Sequence, residues 1–105
     1  MNFQQLRFVR EAVRRDFNLT EVGNALFMSQ SGVSKRIREL EDELGVDIFV
    51  RKGKRIMGLT KAGRDLAAIA ERILDEAEAL RRCARSHSGA APGFVHTALN
   101  EAGLQ

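Results

Sequence analysis

Between positions 29 and 38 the chain presents Ser29, Gln30, Ser31, Ser34, Lys35 and Arg38, hydrogen-bond donors and cations with no carboxylate among them. At helical spacing these side chains fall on the opening turns and the outward face of a single segment. Their chemistry is recognition rather than bond making. Gln can pair with the edge of adenine, Lys or Arg with guanine, and Ser with several base edges or with phosphate. A second cationic run, Arg51-Lys52-Gly53-Lys54-Arg55, follows shortly after and suits attraction to a polyanion. Thr20, near the expected start of a helix, can offer its hydroxyl and backbone N–H to a phosphate or simply cap that helix. No nucleophile, base and orienting group fall into a recognisable arrangement, and neither a P-loop nor a dinucleotide fingerprint occurs. No enzyme is expected. Cys83 is the sole cysteine, which rules out a disulfide within the chain and leaves too few ligands for the usual zinc site. His87 and His96 lie where patterning fails and are not read as ligands, so no metal or cofactor is expected.

The segment that positions the first set spans 28–44. Val33, Ile37, Leu40 and Leu44 recur at steps of four, three and four, one apolar stripe turned to a core. Ser29 or Ser31 can cap its start. Glu41, Asp42 and Glu43 gather at its far end, where their charge opposes the helix dipole. A surface helix built for stability alone would put its acids first. The reversed order suits a helix whose N-terminal half approaches duplex DNA and keeps negative charge away from it.

Before it, Asn2 and Gln5 have the spacing of a capping box, and Phe3, Leu6, Val9 and Val13 predict a first helix that supplies core. Phe17, Asn18 and Leu19 form a short connection. Thr20 starts a short second helix to about Phe27, with Val22 and Leu26 inward and Gly23 where two helices come close. Short helix, tight turn and long helix make a helix-turn-helix. After Gly45, residues 47–50 and 56–59 have strand character, with the basic run as the tip between them, which predicts the wing of a winged helix. Thr60 caps a last helix of about 25 residues. Its apolar residues Leu66, Ala70, Ile73, Ala77, Leu80 and Ala84 form a heptad seam, with Ile69 and Leu74 widening it. A second copy of the same helix is the expected partner, after the first two turns have packed on the chain's own domain. Glu78 and Arg82 are spaced to pair.

The organisation expected is therefore mainly α. A winged helix-turn-helix with a two-stranded wing occupies 1–59, a linker and dimerisation helix 60–86, and a flexible tail 87–105. The 105 residues suffice for one small domain with an extension. The first sixty carry 11 Lys and Arg against 8 Asp and Glu, while the remainder carries six of each, so the positive balance sits with the proposed DNA-facing part. No apolar run approaches the roughly 20 residues that span a bilayer, and the first residues lack a secretory apolar stretch. A cytoplasmic protein without membrane contact is expected.

Several spaced motifs in fixed order resemble a known family. Gln5-Leu6-Arg7-Phe8, then Ser29-Gln30-Ser31-x-Val33-Ser34-Lys35-x-Ile37-x-x-Leu40-Glu41, Leu44-Gly45-Val46-x-Ile48-Phe49-x-Arg51 and Leu59-Thr60-x-Ala62-Gly63 are similar to the DNA-binding domain of LysR-type transcriptional regulators. The likeness covers residues 1–86. Around Leu19-Thr20-Glu21-Val22, residues 28–35 and residues 41–46 it most resembles the CysB-type branch, which governs sulfur assimilation. The resemblance implies base and phosphate contacts from Gln30, Ser31, Ser34, Lys35 and Arg38, and wing contacts from Arg51, Lys52, Lys54 and Arg55. It also implies an inverted-repeat operator and homodimers joined through antiparallel linker helices, with association of two dimers left open. Gly23 stands where the family commonly has Ala, which should loosen the second helix. The family continues into an effector-binding domain of about two hundred residues, a usual domain size, so a truncated chain without a small-molecule effector is expected. The alternative function is an interaction module that forms mixed dimers with a full-length relative.

Overall fold

A computed structural model describes residues 1–88. The tail from 89 on, with His96, lies outside the described residues. The element order is α1 (Phe3–Arg14), α2 (Leu19–Leu26), α3 (Gln30–Leu44), β1 (Phe49–Lys52), β2 (Arg55–Leu59) and α4 (Lys61–Ser88). The chain divides into two compact units, Met1–Leu74 and Asp75 onward. Among the described residues no helix is long and apolar enough to cross a membrane.

The capping box at the start of α1 forms as its spacing predicts. Gln5 N–H donates to Asn2 Oδ1 at 2.8 Å, and Asn2 N–H donates to Gln5 Oε1 at 3.1 Å. This fold-back explains why Gln5 is buried although polar. The inward face of α1 differs from the expected stripe. Leu6 and Val9 are buried, but Phe8 and Ala12 complete the face while Phe3 and Val13 are exposed. The buried side chains form one wide arc running from Phe8 through Ala12, Gln5 and Val9 to Leu6, whereas Phe3 is the first residue of α1 and Val13 stands next to its last, where the ends of the helix leave them uncovered. Asp16 and Phe17, with φ of 56° and 63°, reverse the chain after α1. The reversal sets the Phe17 ring edge-on against Phe49, 6.1 Å between centroids.

Asn18, not Thr20, caps α2, its Oδ1 accepting from Glu21 N–H at 3.1 Å. Asn is the better cap, and it pulls the helix start one residue earlier than expected. Val22 is fully buried and Leu26 packs partly on the core. Gly23 does more than weaken the helix. A Cβ there would overlap the Met28 carbonyl, so the bare backbone lets α2 lie against the start of α3.

Ser29 caps α3, accepting from Gly32 N–H at 3.1 Å, and Gly45 ends it at φ 77°. Val33, Ile37 and Leu40 are buried at the centre of the core, but Leu44 is exposed. The core closes one turn earlier, where Glu41 takes over the inward face. The hairpin is also shifted. The strands are Phe49–Lys52 and Arg55–Leu59, joined by the two residues Gly53 and Lys54. Gly53 has φ 63° at the first turn position, where a tight hairpin needs glycine. Arg51, Lys52 and Arg55 consequently belong to strands rather than to a five-residue tip. Val50 pairs with Gly58 and Arg51 with Ile56, which leaves Met57 unopposed as a bulge.

Thr60 binds the base of the hairpin to α4. Its Oγ1 donates toward the carbonyls of Asp47 and Ile48 at 2.7 and 3.2 Å and accepts from Gly63 N–H at 2.8 Å. Gly63 is buried with no room for a Cβ beside the Ile48 backbone. In this unit α4 commits more of itself to the core than two turns. Ala70 and Leu74 are buried, and Leu66 and Ile73 are half-buried against the same cluster. Ala70 therefore offers no free face, a correction to its place in the expected seam. Ile69 remains exposed. In the second unit Leu80 is 71% exposed and Ala84 is exposed, while Ala77 is half-buried. There Glu78 pairs with Arg81 at 3.1 Å rather than with Arg82.

Candidate nucleic-acid interface

The cap fixes what the first turn of α3 can offer. Ser29 Oγ already serves Gly32 N–H and lies 3.3 Å from Ser31 Oγ, so Ser29 is structural and Ser31, exposed, faces outward. Thr20 Oγ1 donates to Gln30 Oε1 at 3.3 Å. One lone pair of that oxygen is thereby used, and the amide keeps its two N–H donors and its second lone pair free. The link between the second residue of α2 and the first residue of α3 was not anticipated. It gives Thr20 an orienting role in place of the cap.

Gln30, Ser31, Ser34, Lys35 and Arg38 line one open cleft of about 550 Å³ together with Arg51, Gly53 and Lys54 of the hairpin and Leu19 of α2. An adjoining recess of about 460 Å³ is lined by Thr20, Gln30, Lys54, Arg55 and Met57 and by the turn residues Asp16, Phe17 and Asn18. Gln30 and Lys54 border both. The fold thus brings the outward face of α3 and the hairpin tip together around one cleft. Lys52, exposed on β1, borders neither.

The cations are not equivalent. Among the described residues, no carboxylate lies within ion-pair distance of Lys35, Lys52, Lys54 or Arg55. Arg38 is half-exposed and sits between Glu41 and Asp47, 3.8 and 3.9 Å away, beyond hydrogen-bond range. Arg51 is different. Its side chain is only 18% exposed and its guanidinium is bound to Glu41, Nη2 to Oε1 at 2.8 Å. It belongs to the internal framework of the wing rather than to the free cations around the cleft.

Glu41 is the functional residue that sequence reasoning missed. Burial raises its carboxyl pKa, but the hydrogen bond from Arg51, those from Phe49 and Ile48 N–H, and the charge of Arg51 outweigh it and leave the carboxyl below its ordinary range. The signal was present in the spacing: Glu41 follows Ile37 by four and Leu40 by one, so it lies on the inward stripe and not with Asp42 and Glu43.

Comparison with known proteins places this arrangement. Residues 3–64 match the model of the bacterial regulatory helix-turn-helix proteins of the lysR family. The HTH-type transcriptional regulator Cbl of Escherichia coli K12 is 67% identical over 84 residues, covering 80% of this chain and 27% of that protein. The HTH-type transcriptional regulator CysB of Burkholderia cenocepacia is 59% identical over 88 residues, 84% of this chain and 28% of that protein. The chain thus spans less than a third of the length of these relatives. Among solved structures, the DNA-binding domain of CbnR in complex with DNA superposes with a TM-score of 0.71 at 31% identity, covering 87% of this chain and all of that one.

Proposed function

The chain belongs to the lysR family of bacterial regulatory helix-turn-helix proteins, and on that premise we propose that it acts as a dimeric, sequence-specific DNA-binding regulator of transcription, cytoplasmic and of the CysB type, directed at sulfur assimilation genes. The observation that carries this reading is the shared cleft. Gln30, Ser31, Ser34 and Lys35 on one side and Lys54 on the other line one opening, with the acids of α3 confined to its far end. A helix entering the major groove by its first turns, with a basic hairpin on the flanking backbone, needs that juxtaposition. Gln30 and Ser34 supply base choice. Lys35, Lys54 and Arg55 supply phosphate attraction, with Arg38 and Lys52 as outer cations. Thr20 orients Gln30, and Arg51 holds the wing.

For dimerisation the support is the exposed apolar character of α4. Ile69 in one unit and Leu80 in the other lie bare in the single chain, and an apolar stripe on a helix of 28 residues calls for a partner helix. The test is selection of duplexes from a random pool by the intact chain, followed by gel-shift titration against scrambled duplex beside a sizing column. Enrichment of a two-fold symmetric site by a chain that elutes as a dimer is expected. Equal affinity for all duplexes overturns the sequence-specific reading. Elution as a monomer when bound overturns the dimer.

A further inference from the structure

Phe27 is 95% exposed, more than any other large apolar residue among the described residues. Its backbone is left-handed, φ 59° and ψ 48°, and its N–H donates to the Gly23 carbonyl to close α2. Chains normally place glycine at such a helix end, as this one does with Gly45 after α3. A Phe here pays backbone strain and leaves its ring in water, so the fold gains nothing from it that glycine would not supply more cheaply.

The position is specific. Phe27 stands two residues before Ser29, which caps α3, and three before Gln30. The flanking exposed side chains Asn24, Ser29 and Gln30 are uncharged, and the adjoining apolar Leu26 and Met28 are half-buried against the core. A solitary ring amid polar neighbours is too small to seed a protein interface of ordinary size, which buries over 1,000 Å². It does match the wall of a groove, where a single apolar side chain meets a single apolar group.

Resting on the reading of α3 as a groove-entering helix, we propose that the Phe27 ring is an apolar contact to the duplex beside the bases facing Gln30, taken either by the C5 methyl of a thymine or by the apolar face of a deoxyribose. The ring then adds site preference that hydrogen bonding alone does not provide. It also fixes how deeply the first turn of α3 enters.

The test compares the wild-type chain with Phe27→Gly, Phe27→Asn and Gln30→Ala on a duplex selected by the wild type and on copies with single thymines replaced by uracil. Gly and Asn both accept the left-handed backbone, so the two Phe27 variants should melt no lower than the wild type. They should nonetheless bind the selected duplex about tenfold or more weakly, the scale of exposing a buried Phe. If one uracil weakens the wild type about fourfold, the worth of one methyl, and leaves Phe27→Gly unchanged, the ring sits on that thymine. If no uracil matters but the Phe27 loss persists, it sits on sugar. Wild-type affinity in both Phe27 variants, with Gln30→Ala still losing discrimination, overturns the proposal while sparing the DNA reading. So does a change confined to the elution volume of the free chain, which would make the ring a protein contact. Failure of the wild type to select any duplex overturns both.

Discussion

Arg51 grips both oxygens of Glu41, Nη2 reaching Oε1 at 2.8 Å and Nη1 reaching Oε2 at 3.2 Å. Oε2 also accepts from Ile48 and Phe49 N–H at 2.7 and 3.1 Å. A carboxylate taken out of water is stabilised only when its lone pairs are filled in this way. The bond joins the last turn of α3 to the first strand of the wing, so the two sides of the cleft have a fixed separation.

Glu41→Gln should therefore destabilise the domain by about 2 to 4 kcal/mol, the range for breaking a buried, hydrogen-bonded ion pair. The Gln amide oxygen can still accept from the Ile48 and Phe49 N–H groups, but its NH₂ then opposes the guanidinium. The pH dependence has a definite sign. Folding lowers the Glu41 pKa, so the folded state favours the carboxylate. Its contribution is complete above the usual carboxylate range and is lost as pH falls through the lowered folded value. Thermal melts across that acid limb should show the variant losing less with each step than the wild type; parallel curves would remove Glu41 from the pH response.

Gln30→Ala should relax discrimination at one base position, costing about 1 to 3 kcal/mol there. Competition titrations with every base at each position provide the measurement, and an equal loss on all sequences would assign Gln30 to the backbone. Thr20→Val, which removes the donor to Gln30 Oε1, should produce a weaker version of the same pattern.

Replacing both Lys54 and Arg55 by Ala should weaken binding to selected and scrambled duplexes alike. It should also flatten the slope of log K against log salt by about 1.8, near 0.9 for each phosphate no longer neutralised. An unchanged slope would take the hairpin off the DNA.

Gly63→Ala should cost about 1 to 3 kcal/mol or more, the overpacking range, because the new methyl would overlap the Ile48 backbone. A higher helix propensity for Ala, about 1 kcal/mol, offsets only part of this. Denaturant titration measures the difference, and a more stable variant would mean that α4 can move off the hairpin base at little cost.

The parts of this molecule most legible in the sequence were those written in a single period. Val33, Ile37 and Leu40 announce the inward face of α3, and the donors from Gln30 to Arg38 its outer one. Gly45 and Thr60 mark boundaries with residues whose backbone or side-chain chemistry leaves few other uses. What was less legible depended on several elements at once. Phe3 and Val13 have the spacing of core residues, yet they stand at the two ends of α1 and stay exposed. Ala70 satisfies both a heptad and a domain core, and its own spacing cannot say which surface reaches it first. Arg51 reads as one cation in a basic run until the fold brings Glu41 beneath it, ten residues away. Phe27 carries no periodic signal at all, since its interest lies in a backbone angle that the residue type alone does not reveal.

Thr60 hydrogen-bonds at once to the hairpin base and to the first turn of α4. Peeling the ribbon away would fray the helix, and fraying the helix would release the ribbon. A pair of strands with no further neighbour is ordinarily an easy piece to trade between molecules. Held at its base by this one hydroxyl, the ribbon is tied to the chain that made it, which works against such an exchange.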